Sequence, residues 1–115
     1  MKVAISANEP GVSASVDPRF GRAQYLVVVD MDNGVVGTHD NAINQSAAHG
    51  AGIQAAKTVV DAGAKAVITG NVGPKALAAL QAAGVDVYQV AGGSMQQAVE
   101  QFKQGCLVPV TSPTT

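Results

Sequence analysis

Hydrophobic and polar positions along this chain fall into two kinds of block. Lys2–Ser6, KVAIS, and Gln24–Asp30, QYLVVVD, are short apolar runs rich in Val and Ile. Runs of that length and composition predict buried strands. Between them lies Ala7–Arg22, ANEPGVSASVDPRFGR, with two Pro, two Gly and no hydrophobic period. A stretch that long without periodicity inside a compact domain points to a functional loop. After the second strand, Met31–Gly34, MDNG, supplies the residue types of a tight hairpin turn, so Val35–Thr38 is expected as an antiparallel partner.

A second polar stretch, HDNAINQSAAHGAG from His39 to Gly52, runs into a different pattern. Here Ile53, Ala56, Val59 and Val60 recur at helical spacing, predicting one buried helix face that stops at Gly63. Ala66–Thr69, AVIT, is a further strand. GNVG then breaks the chain before a helix with Pro74 near its start and Gly84 past its end. Val85–Val90, VDVYQV, is the next strand. Ser94 caps a third helix through about Gln104, and Gly105 closes it. The residues from Pro109 onward read as loose.

The β-α-β-α-β half requires parallel strands with right-handed crossovers, and the hairpin must add to them antiparallel. The expected fold class is therefore α/β, with a mixed sheet of about five strands and helices on both faces. One domain over residues 1–108 and a flexible tail over 109–115 follow.

Composition narrows the function classes. Hydrophobic residues are 47% of the 115, and charged residues only 13%, which is a core-forming balance. The net charge of −1 gives no general attraction to nucleic acid or to an anionic membrane. Apolar windows are too short for a membrane span, and the N-terminus lacks a secretory pattern. Cys106 is the single cysteine, so no intramolecular disulfide and no all-cysteine metal site can form. A cytoplasmic protein is the expectation.

Open α/β sheets bind ligands beyond the carboxyl ends of their parallel strands. Three segments converge on that edge: DPRFGR after the first strand, GNVGPK after the fourth, and HGAG at the first helix start. Two of these are helix N-termini built from small residues, which expose unpaired N–H groups and partial positive charge to an anion. Gly50, Gly52 and Gly70 would let a bulky anion approach backbone. Arg19, Arg22 and Lys75 add cations. Asn44 and Asn71, with Asn8 and Asn41, add neutral donors. His49 reads two ways: as a helix-entry histidine bonded to backbone, or as a ligand. The glycines serve packing or an anion nest, and Arg19 and Arg22 either face a ligand or pair with Asp17. Neither HGAG nor GNVGPK has the spacing of a dinucleotide or Walker loop. His39 reads as exposed on the hairpin and Cys106 as a packed thiol. A hydrolase would need carboxylates such as Glu9 and Asp17 to converge on metal, and Asp30 and Asp32 lie at the hairpin turn, away from the cleft.

The three motifs in this order resemble the nitrogenase iron–molybdenum cofactor biosynthesis accessory family, over about residues 1–108. The resemblance implies a ribonuclease-H-like fold. It implies binding or carriage of an anionic metal–sulfur cluster or its precursor rather than catalysis. A monomer is the expectation, with cluster donor and acceptor proteins as its partners. Its small free-standing members imply a molybdenum–copper sulfide cluster or a related molybdenum–iron–sulfur cluster, with His49 at the position where a histidine contacts metal. Thiolates are the usual ligands of such soft metals, and one distant Cys106 cannot supply them. A cluster here would have to arrive assembled, with its own sulfides. An anion- or nucleotide-binding regulatory module without metal is the alternative reading of the same loops.

Overall fold

A computed structural model describes residues 1–10, 14–34, 36–41 and 50–112. Six strands form one sheet: β1 (Lys2–Ala7), β2 (Tyr25–Asp30), β3 (Val36–Asp40), β4 (Ala64–Thr69), β5 (Asp86–Gln89) and β6 (Val108–Pro109). Their spatial order is β3-β2-β1-β4-β5-β6. β1, β4 and β5 run parallel at the centre, and β2, β3 and β6 are antiparallel to their neighbours. The helices are α1 (Ala51–Asp61), α2 (Pro74–Ala82) and α3 (Met95–Lys103).

Strand alternation sorts the side chains into two cores. Ala4, Leu26, Val28, Val67 and Val87 face α1 and α2, packing on Ala55, Ala56, Val59, Leu77 and Leu80. Val3, Ile5, Val27, Val29, Ala66 and Ile68 face the other way, onto Met95 and Ala98 of α3. Burial on both faces explains why these strands read as continuous apolar runs rather than as alternation. Tyr88 of β5 and Phe102 of α3 meet edge to face, 5.2 Å between ring centroids.

Four expectations need correcting. The sheet has a sixth strand: Pro109 belongs to β6, and the Val110 amide donates to the Val87 carbonyl at 2.7 Å, so the start of the supposed tail is paired. The inward face of α1 is Ala51, Ala55, Ala56 and Val59, while Ile53 is 44% and Val60 40% exposed. At its start α1 lies close against α2, which favours small residues there: a Cβ on Gly52 would sit 3.0 Å from that of Ala76. Cys106 is exposed, its Sγ 3.9 Å from the Gln104 carbonyl oxygen, and His39 is half-buried.

Central neighbours β1 and β4 send their chains opposite ways, β1 toward β2 and β4 through α2 toward β5. A crevice therefore opens beyond their carboxyl ends.

Candidate functional site

The strap after β1 is fastened at its root by buried polar groups. Ser6 Oγ donates to the Asp17 carbonyl oxygen at 2.7 Å and shares a 2.8 Å hydrogen bond with Thr69 Oγ1. In return the Asp17 amide donates to the Ser6 carbonyl at 2.8 Å. Ser6, Asp17 and Thr69 are all nearly inaccessible, and no buried side-chain polar atom among the described residues lacks a partner. Paired buried groups of this kind hold a loop firmly, because each would be costly to strand.

Beyond the root, the strap is stitched to the loop after β4. The Asn71 amide donates to the Pro18 carbonyl at 2.6 Å, and the Phe20 amide to the Asn71 carbonyl at 3.1 Å. Asn41 clamps the other side: its Nδ2 donates to the Gly21 and Ala23 carbonyls at 3.2 and 2.8 Å. Two glycines permit the contact. A Cβ on Gly70 would fall 2.6 Å from Pro18 Cα, and one on Gly21 would fall 2.7 Å from the backbone of Gly52. Neither separation is possible for real atoms, so strap, α1 and the β4 exit meet only because both positions lack a side chain.

The result is a cavity of about 540 Å³. That is within the size range of small-ligand sites, roughly 300–1,000 Å³. Buried Phe20 and exposed Ile53 are both part of its lining. Arg19, Arg22, Gly50, Gly52, Asn71 and Lys75 line it, as the three motifs led one to expect. Gly70 does not; it lies behind the lining, against Pro18. Asn41 is occupied in clamping the strap, and Asn8 is exposed away from the lining. Asn44 and His49 lie outside the described residues.

Two helices begin at the cavity. The N-cap of α1 is Gly50, in the left-handed region (φ 77°), and that of α2 is Gly73, in extended backbone. Neither has a side-chain cap, and neither helix has an acidic residue in its first turn. The first amides of a helix have no intrahelical acceptor, so both ends present N–H groups and the positive pole of the helix dipole. Gly73 could not be singled out from sequence except through Pro74, which marks the first turn.

Three of the seven Lys and Arg residues line this one cavity, and no Asp or Glu does. Arg19 is paired with buried Asp17, whose carboxylate accepts from Nε and Nη2 at 3.2 Å each. That hydrogen bond, and then the carboxylate charge, raises the guanidinium pKa above its usual value. Lys75 makes no ion pair among the described residues. Asp17 is thus engaged with Arg19 and Glu9 is exposed outside the lining, so the two do not form a metal-holding pair there. Asp30 and Asp32 sit at the opposite edge of the sheet, against the N-terminal amine. No helix among the described residues is long and apolar enough to cross a membrane.

Known proteins share this fold. The apo form of the orange protein from Desulfovibrio gigas is 43% identical, with a TM-score of 0.95 over 99% of this chain and 96% of that one. A putative NifB protein from Thermotoga is 37% identical, with a TM-score of 0.87 over 99% and 97%. An uncharacterised protein of Methanocaldococcus jannaschii is 29% identical over 93% of this chain and 89% of its own length. The family model described as dinitrogenase iron-molybdenum cofactor matches residues 1–105. These likenesses support a cofactor-related binding role. With its three motifs assembled as above, the chain belongs to the dinitrogenase iron-molybdenum cofactor family.

Proposed function

We propose that this protein binds and carries, without catalysis, a preformed anionic metal–sulfur cluster in the cleft between the strap, the α1 start and the α2 start. One observation carries the reading. The described lining offers N–H donors and cations from uncapped helix starts, Arg19, Arg22, Asn71 and Lys75, and contains no Cys, Met, Asp or Glu. Such a surface suits the outside of a sulfide cluster that brings its own soft ligands. It does not suit a bare cation. Held this way, the cargo is retained by hydrogen bonds and charge, so retention weakens as salt screens the field. Release to acceptor proteins then needs no metal–protein bond to break, except one at most through His49.

A molybdenum–copper sulfide or a molybdenum–iron–sulfur cluster fits this description, the first being what the resemblance to the small free-standing family members implies. The test is anaerobic mixing of apoprotein with tetrathiomolybdate and copper(I), followed by desalting. Visible absorption and metal should stay with the protein at low salt and diminish at high salt. A colourless, metal-free protein fraction would sink the reading. If phosphate or a nucleotide raised the melting temperature instead, the cleft would serve the metal-free alternative.

A further inference from the structure

A carboxylate beside an anion site calls for a reason. Asp17 lies against Arg19, and on charge alone it weakens the pull of the cleft. Its geometry supplies the reason. The Asp17 side chain is 5% exposed, whereas the Arg19 side chain it holds is 55% exposed and lines the cavity. Oδ1 accepts from the Arg19 amide at 2.9 Å and from Nε at 3.2 Å, and Oδ2 accepts from Nη2 at 3.2 Å. The Asp17 backbone is itself locked to Ser6 in both directions. A long flexible side chain is thereby fixed at its buried edge, with the Nη1 donors left unengaged by Asp17.

We propose that Asp17 is a positioning residue, whose buried carboxylate holds the Arg19 guanidinium at the cleft rim so that its remaining N–H groups meet an anionic cargo already oriented. This rests on the cluster-binding reading above. Arg19 then acts as a fixed fork of donors more than as a charge. A planar guanidinium held in place gives up little freedom when it binds, which is why holding it raises affinity.

The field account and the positioning account give opposite signs for one variant. Asp17→Asn removes a negative charge from the cleft but keeps volume and an acceptor for the Arg19 amide. If charge dominated, the tetrathiomolybdate–copper cluster would bind tighter. Positioning requires weaker binding, by about tenfold, the scale of one charge-assisted hydrogen bond. In an Arg19→Gln background the same change should cost nothing further. Arg19→Lys, which keeps the charge and cannot pair side-on, should lose affinity like Asp17→Asn, and it covers the case in which Asp17→Asn fails to fold. Tighter binding by Asp17→Asn, equal losses in both backgrounds, or full affinity in Arg19→Lys overturns the proposal. NMR of the apoprotein separates this from the functional reading. The Arg19 Nε–H should exchange slowly in the wild type and rapidly in Asp17→Asn. Rapid exchange in the wild type overturns positioning whatever the cargo. Slow exchange in a wild type that retains no cluster leaves positioning standing and removes the cluster.

Discussion

Three helices start at the same edge of this sheet, and they start differently. On the α3 face, Ser94 and Gln97 form a complete capping box, with Ser94 Oγ accepting from the Gln97 amide and Gln97 Oε1 from the Ser94 amide, both at 3.2 Å. The strap seals that end further, since the Met95 amide donates to the Ala14 carbonyl at 2.9 Å. On the cleft face, Gly50 and Gly73 occupy the equivalent positions with no side chain at all. Backbone does not force this at α2. Gly73 has φ −78° and ψ 169°, close to φ −82° and ψ 157° at Ser94. A serine or aspartate fits that conformation and would stabilise the helix. Among the described residues, then, the helix start on the α3 face is closed by a side-chain cap and the two on the cleft face are not.

Breaking the cleft side has the largest expected effect. Gly21→Val forces a side chain into the backbone of Gly52, which a Cβ alone already meets at 2.7 Å. The strap and α1 must separate, at a cost of about 1–3 kcal/mol for overpacking. Chemical denaturation should show that loss, and cluster retention should vanish with it. Full retention in a destabilised Gly21→Val protein would mean that the closeness of these two segments does not matter to the cargo.

Breaking the α3 side should separate stability from function. Ser94→Ala removes the capping oxygen and is expected to cost about 1 kcal/mol. Cargo affinity should not change, because this helix start is on the other face. A parallel loss of affinity would show that the two faces are not independent.

The smallest stability effects belong to the rim. Lys75 is exposed and makes no ion pair among the described residues, so Lys75→Ala should leave the unfolding midpoint unchanged. Affinity should fall severalfold, and its dependence on salt should flatten. His49→Ala should likewise keep the fold while shifting the visible spectrum of the bound cluster. An unaltered spectrum and affinity would reduce His49 to a residue of the helix entry.

Much of this was legible in the chain. Val and Ile runs marked β1, β2 and β4, Pro74 and the glycines after each helix marked helix limits, and topology placed three motifs on one edge. What stayed hidden depends on contacts between distant segments. Gly21 looks like an ordinary loop glycine, and Gly70 like one cleared for an anion, until Gly52 and Pro18 are seen against them. Ile53, Val59 and Val60 are the large apolar residues of α1 and all looked like core, yet only Val59 faces inward, with Ala51, Ala55 and Ala56, and Gly52 lies where α2 comes close. β6 has two exposed residues, one of them proline, and so carries no strand signal of its own. That Asp17 pairs with Arg19 was one of two readings of the sequence; that it does so while Arg19 stays at the rim needed the fold.

The central claim is that the bare start of α2 is kept bare for an anion, and Gly73→Asp tests it most directly. Unfolding free energy and cluster affinity are measured on the same protein, with Gly73→Ser as the uncharged control. The account predicts that Gly73→Asp raises stability by about 0.5–1 kcal/mol as it caps the helix and meets its dipole. Cluster affinity should fall at least tenfold, with Gly73→Ser falling less. A more stable Gly73→Asp protein that binds the cluster as well as the wild type would contradict the account.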